Sequence, residues 1–293
     1  LRYRITHSTT YQYTGLVGRS YNEARLLPRE CHQQKLISAR LEIQPKEADF
    51  RIREDFFGNK TAYFTIKEPH SEFKVTAFSE VEVSGNTGQL GLSQGISWEA
   101  TKEILQHDKR AEVLEARQYT LDSPYINTSP ELAAYAQPSF VPGRSLFDAV
   151  HDLMQRIYHE FTFDPGFTTL STPVNTVLEH RRGVCQDFAH VAIGCIRTHG
   201  LAARYVSGYI ETLPPPGQEK LVGSDASHAW FSVYIPDVGW LDFDPTNNQI
   251  NGDQHITVAW GRGYGDVTPL KGVVFGGQDH ELKVSVDVTR MPA

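Results

Sequence analysis

A cysteine, a histidine and one of two aspartates are spaced in this chain so that together they could run thiol acyl transfer. The cysteine is Cys185, in Gly183-Val184-Cys185-Gln186-Asp187-Phe188-Ala189-His190, where a strongly apolar helical pattern begins. A thiol is a nucleophile only as its thiolate, and the unpaired N–H groups and dipole at a helix N-terminus favour that anion. Asp187, in the same first turn, works mildly against it, so a cationic neighbour is required. His228 is the best candidate. It opens the run His228 to Ile235, whose period of two places His228, Trp230, Ser232 and Tyr234 on one face. The turn Pro236-Asp237-Val238-Gly239 leads to Trp240-Leu241-Asp242-Phe243-Asp244, in which Trp240, Asp242 and Asp244 share a face.

Register decides whether these residues meet. Pairing Ile235 with Trp240 puts His228 and the aspartates out of phase. Pairing Tyr234 with Trp240 sets Asp244 diagonally across from His228 on one face, at roughly 7–8 Å between backbones, within reach of a His–carboxylate contact. The second register is expected. Asp242 satisfies the same parity, so spacing leaves both carboxylates open. In such a system Cys185 attacks an amide or ester carbonyl. His228 takes its proton and later gives it to the leaving group, and the aspartate orients the imidazole. The Cys185 backbone N–H is an oxyanion donor by position.

The elements that must hold these residues are legible in outline. The first 85 residues read as strands: Leu41-Glu42-Ile43, Thr61 to Lys67 and Phe73 to Val83, with a Gly58-Asn59 turn. A β-sandwich is the simplest arrangement. Residues 86–143 form a connector, Gly-, Ser- and Asn-rich at first, then helical over Glu99 to Arg117 and again from the Ser129-Pro130 start. From Ser145 a capped amphipathic helix carries Leu146, Val150, Leu153, Met154 and Ile157. The Cys185 helix follows and stops at Gly200. Strands are expected over Arg204 to Ile210, His228 to Ile235, Gly239 to Asp244 and Leu282 to Val288. Helices followed by antiparallel strands make the fold class α+β rather than a βαβ alternation. The expected domains are 1–85, an accessory β-sandwich; 86–143, the helical connector; and 144–293, the catalytic core.

Composition removes several classes. The net charge of −7 opposes nucleic-acid binding, which relies on clustered Lys and Arg. No window approaches about 18 consecutive apolar residues, so no membrane association is expected. Three cysteines without a CxxC argue against a disulfide framework and a structural zinc site. A reducing, cytoplasmic setting is the default. There is no phosphate-cradling or dinucleotide motif. No cofactor and no metal is expected, and the partner is a peptide or protein substrate.

The motifs resemble those of the bacterial transglutaminase-like superfamily. Arg182 to His190 is similar to its nucleophile motif, and Ala203 to Tyr209 to the strand after it. Ser227-His228-Ala229-Trp230 and Gly239 to Asn247 resemble its histidine and aspartate motifs, and His255 to Arg262 its tail. The β-rich start resembles its N-terminal accessory domain. The resemblance implies a papain-like core with the triad Cys185, His228 and Asp244, choosing Asp244, the Asp of Asp-Pro-Thr, over Asp242. It implies cysteine-protease or transglutaminase chemistry, with hydrolysis slightly favoured because no amine site is identifiable.

Other readings compete. A binding module could keep the fold without turnover, although the intact motifs argue against it. A redox-sensing thiol lacks a nearby resolving cysteine. Cys195, on the apolar stripe, reads as core, Cys31 as structural and His190 as a hydrogen-bonded structural residue. Trp230, Trp240, Tyr205 and Tyr209 are the candidate substrate-binding residues, with core packing as their other reading. Pro214 to Gly217 reads as a solvated loop, or as a substrate-selecting flap before His228.

Overall fold

The computed structural model describes residues 1–85, 95–212 and 227–292. The Gly-rich start of the connector and the Pro214 to Gly217 segment lie outside the described residues. The chain opens with β1 (Arg2–Ala24), β2 (Gln34–Gln44), β3 (Asp49–Glu54), β4 (Lys60–Ile66) and β5 (His70–Val83). Helices α1 (Trp98–His107), α2 (Ala111–Arg117), α3 (Pro130–Ala136) and α4 (Leu146–Glu160) follow. The expected Glu99 to Arg117 helix is thus two helices. Asp108 turns extended, and its side chain accepts from the Arg110 N–H, a local bond that competes with helix continuation.

Next come β6 (Thr162–Phe163), α5 (Val174–His180), β7 (Arg182–Gly183) and α6 (Cys185–Thr198). The second sheet is built from β8 (Ala203–Ile210), β9 (Ser227–Ile235), β10 (Gly239–Asp244), β11 (Gln249–Ile250) and β12 (His255–Gly261). A short α7 (Tyr264–Val267) precedes β13 (Leu270–Gly276) and β14 (His280–Arg290).

Strand β1 organises the first sheet. Its first half pairs with β5 and β14, and its second half with β4 and β13, with an irregularity between Gln12 and Val17. One antiparallel sheet is thereby curled into two halves. They close over Ala24, Ile43, Phe64, Phe73 and Val75, and the Phe64 and Phe73 rings lie 6.0 Å apart. Strands β13 and β14, from the C-terminal part of the chain, complete this first sheet by pairing with β1. One face of β14 carries Leu282, Val284, Val286 and Val288, of which Val286 and Val288 are buried while Leu282 and Val284 are exposed.

The second sheet runs β11-β10-β9-β8-β12, antiparallel throughout. Helix α6 packs on one face, against β9 and β8. It is buried almost all round, from Asp187 to Arg197, so it is the central element of the core. Ala229, Phe231 and Val233 share one buried cluster with Phe188, Ala192 and Ile196 of α6. The opposite face of this sheet looks toward the first sheet. There Gln34 pairs its amide with both backbone groups of Thr257, at 2.7 and 2.9 Å. Asn59 does the same for Trp260, at 2.8 and 2.9 Å. These two amides satisfy the open edge of β12, which otherwise would offer unpaired N–H and C=O groups.

Candidate active site

The start of α6 is tied down on both sides. Arg181 leaves α5 in the left-handed conformation (φ 50°), and β7 then pairs in parallel with β6. Val184 is the N-cap, extended at φ −116°. Its N–H donates to Asp187 Oδ2 at 2.8 Å, the reciprocal arm of a capping box, and the Thr168 hydroxyl donates to the same oxygen at 2.6 Å. Gly183 makes this closure feasible: a Cβ there would lie 2.6 Å from Asp187 Oδ2 and 2.8 Å from its Cβ. Burial raises the Asp187 carboxyl above the usual carboxylate range, against the pull of these two donors. Cys185 is therefore the first residue of a capped helix and is half-buried. Its N–H precedes the first intrahelical bond, from Phe188 N–H to the Val184 carbonyl.

The β9–β10 hairpin adopts the expected register, with Trp240 opposite Tyr234 and Asp242 opposite Ser232. That places Asp244 diagonal to His228. His228 Nε2 donates to Asp244 Oδ2 at 2.7 Å, and the Cys185 thiol lies close enough to the ring to help raise its pKa. With Nε2 engaged, Nδ1 is the nitrogen left for sulfur. The structure thus brings Cys185, His228 and Asp244 into one chain of contacts. Asp242 is excluded from it, because its carboxylate accepts the Trp230 indole N–H at 3.0 Å.

Asp244 is fully buried and accepts five hydrogen bonds. Oδ2 takes His228, His255 (3.1 Å) and the Asn247 side-chain amide (2.7 Å). Oδ1 takes the backbone N–H groups of Thr246 (3.0 Å) and Asn247 (3.2 Å), an Asx turn built by Asp244-Pro245-Thr246-Asn247. Burial alone would raise its pKa; the bonds from His228 and His255 win and hold it well below the usual carboxylate range. Burial likewise opposes the His228 imidazolium. Hydrogen bonding to Asp244 and Cys185, with the charges of both, overrides it and pushes the pKa from 6.5 up to about 10. The raised pKa favours a cationic His228 near the thiol. Donor atoms of His228, Asp244 and His255 lie within 4.8 Å of one another. Their mutual hydrogen bonds account for that grouping.

His255 and Asn247 are functional neighbours that the motif reading passes over as site residues. His255 stands on β12, two strands beyond β9. It reaches Asp244 across the row held by Gly208, which pairs with His228 on one side and Thr257 on the other. A Cβ on Gly208 would lie 2.1 Å from the Ile256 carbonyl oxygen and 2.5 Å from the Trp230 ring.

Three of the four candidate substrate-binding residues need correction. Trp230 is completely buried, edge-on to His255 at 5.2 Å, and floors the His–Asp pair. Tyr205 is buried beside His190, with ring centroids 5.0 Å apart. Its phenol is pushed far up by burial and then by the Cys185 charge, so it underlies the thiol without offering surface. Tyr209 is buried and its hydroxyl bonds His7 Nδ1 at 2.8 Å, joining the two sheets. Parity groups such residues on a face but does not reveal which face is covered. Trp240 is half-buried and lines a cavity of about 560 Å³ behind the sheet, whose lining does not include Cys185. His190 is buried, and its Nε2 accepts the Tyr264 N–H at 3.1 Å; burial, then Arg197, lowers its pKa to about 3. Cys195 is buried, and burial pushes its thiol far up.

The scaffold and its three residues define the class first: a papain-like α+β core with a helix-borne cysteine facing a sheet-borne histidine. Residues 3–82 match the bacterial transglutaminase-like N-terminal region, and residues 133–245 match the transglutaminase-like superfamily. A Mycobacterium tuberculosis protein without an assigned function is 42% identical, over 98% of this chain and 92% of its own. The chain belongs to the transglutaminase-like superfamily. A Pseudomonas aeruginosa protein named protein-glutamine gamma-glutamyltransferase is 33% identical over 39% of this chain and 16% of its own. The fold is shared with the crystal structure of a candidate cysteine protease from Cytophaga hutchinsonii. That match has a TM-score of 0.76 at 19% identity and covers all of this chain and 92% of the other.

Proposed function

We propose that the protein is a Cys-His-Asp thiol hydrolase acting on amide bonds of peptides or proteins. The observation that carries this reading is His228, bonded at one nitrogen to a buried carboxylate and raised in pKa by that carboxylate and by Cys185. An imidazolium held there stabilises the thiolate. Cys185 Sγ attacks the carbonyl carbon, and the oxyanion that forms lies at the helix N-terminus, where the Cys185 N–H is placed to receive it. His228 gives its proton to the leaving nitrogen as the C–N bond breaks, which leaves a thioester. Water then attacks the thioester, His228 takes a proton from it, and the carboxylic acid departs as the thiol is restored. Asp244 stays ionised and fixes the ring. No step calls on a cofactor.

The test is site-resolved alkylation of Cys185 by iodoacetamide. In the wild type the rate should stay nearly flat from pH 6 to 8. In His228→Ala it should be lower and rise about tenfold per pH unit, as for a free thiol of pKa ~8.5. Free-thiol behaviour in both proteins refutes the reading. Transfer to an amine is the second reading, favoured by the partial match to the gamma-glutamyltransferase. Incorporation of a labelled amine into a glutamine-bearing peptide, in place of release of a free acid, selects it.

A further inference from the structure

The cavity behind the catalytic sheet contains an arginine with no ion pair among the described residues; Asp242, on the same lining, acts on it by charge, but its carboxylate is bonded to the Trp230 indole. Arg204 is 6% exposed, and its guanidinium lies 3.6 Å over the Trp260 ring and 4.2 Å over the Trp240 ring. Both faces are therefore covered by indole rings. Among the described residues it makes no hydrogen bond or ion pair, and Nε is buried without a partner. Burying a cation without a bonded anion is expensive, and a fold tolerates it where something else supplies the anion. Two more buried side chains on the same lining are unsatisfied. Asn251 has neither its amide N–H₂ nor its carbonyl paired, and His255 has a free Nδ1. The exposed rim is of opposite sign, carrying Glu112, Glu115 and Asp237.

We propose that this cavity binds a short peptide. Its terminal carboxylate pairs with the edge of Arg204, a peptide group pairs with the amide of Asn251, and its ammonium end points to the acidic rim. A guanidinium edge fits a carboxylate with two parallel N–H···O bonds. An unpaired donor and acceptor on one asparagine match the C=O and N–H of a peptide unit. The acidic rim disfavours a compact polyanion and favours a ligand whose far end is positive. The cavity volume of about 560 Å³ is of the size of small-molecule sites. The site is separate from the nucleophile and stands whether or not Cys185 turns over. It nevertheless touches the triad, because the His255 ring that lines it donates to Asp244.

Calorimetric titration of the full chain with triglycine tests the assignment. Triglycine should bind. Triglycine amide, which lacks the carboxylate, should bind at least about tenfold more weakly, a cost of about 1.4 kcal/mol. N-acetyl-triglycine, which lacks the ammonium, should be weakened several-fold. Arg204→Lys should lose about tenfold as well, and alkylation of Cys185 should change nothing. If Arg204→Lys does not fold, Glu115→Gln on the exposed rim should weaken triglycine but not its acetylated form. Absence of triglycine binding overturns the proposal. So does equal binding of triglycine and its amide, or loss of binding on Cys185 alkylation.

Discussion

Two residues of the site carry opposite pKa shifts, and each makes stability depend on pH in its own window. Asp244 is depressed, so its contribution is present above its unfolded value and is lost as pH falls through the low folded value. His228 is raised from 6.5 to about 10, so its contribution is complete below 6.5 and is lost as pH climbs through about 10. The native state should therefore weaken by roughly 1–3 kcal/mol between neutrality and pH 10 through this group. Urea unfolding at the two pH values, in wild type and His228→Gln, reads it. The variant should show a shallower fall, and equal falls would remove His228 as the cause. At this scale the sequence was informative where chemistry lay along one hairpin: whether His228 meets an aspartate reduced to one register, and the motif resemblance chose Asp244 over Asp242. It was silent on His255 and Arg204. Their partners stand on other strands, and nothing local distinguishes a histidine that reaches over a glycine from one that points to water.

At the scale of elements, the nucleophile depends on a cap rather than on its helix alone. Gly183 gives Asp187 the room to return to the Val184 N–H and the Thr168 hydroxyl. Gly183→Ala should push that carboxylate off its donors and cost about 1 kcal/mol, the worth of an N-cap. It should also slow Cys185 alkylation, because the helix start moves. Thermal melting and labelling on the same variant test both, and unchanged labelling would show that Cys185 does not need the cap. Helix α6 was legible because its apolar stripe is long and bounded by glycines at both ends. The break between α1 and α2 was not. Asp108 and Arg110 fit a helix surface equally well, and the Arg110 N–H bond to Asp108 is seen only in three dimensions.

Across the whole molecule, the first sheet is part of the working protein and not an appended module. Gln34 and Asn59 hold the outer strand of the catalytic sheet through its backbone, at Thr257 and Trp260. His255 stands on that strand. Removing either amide strands two buried polar groups, at about 1–3 kcal/mol. Gln34→Ala should thus lower the melting temperature and, by loosening β12, reduce Cys185 reactivity. Gln33→Ala, next to it, should do neither. Equal effects from the two variants would show that the docking amide is not what matters. The alternation of Leu282 to Val288 marks a strand but not its partner, so its return to β1 is a fact of long-range pairing that local pattern cannot carry.

That return has a mechanical meaning. Tyr3 and Arg290 face each other at the same end of an antiparallel pair, in which β14 takes β1 as its strand partner and this half of β1 pairs with both β14 and β5. A pull between these two residues loads one rung of the ladder at a time and peels β14 away like a zip. The load never shears the whole strand, and the first side-chain bonds it strains are those of Tyr3 and Arg290 to Glu211, at the end of β8.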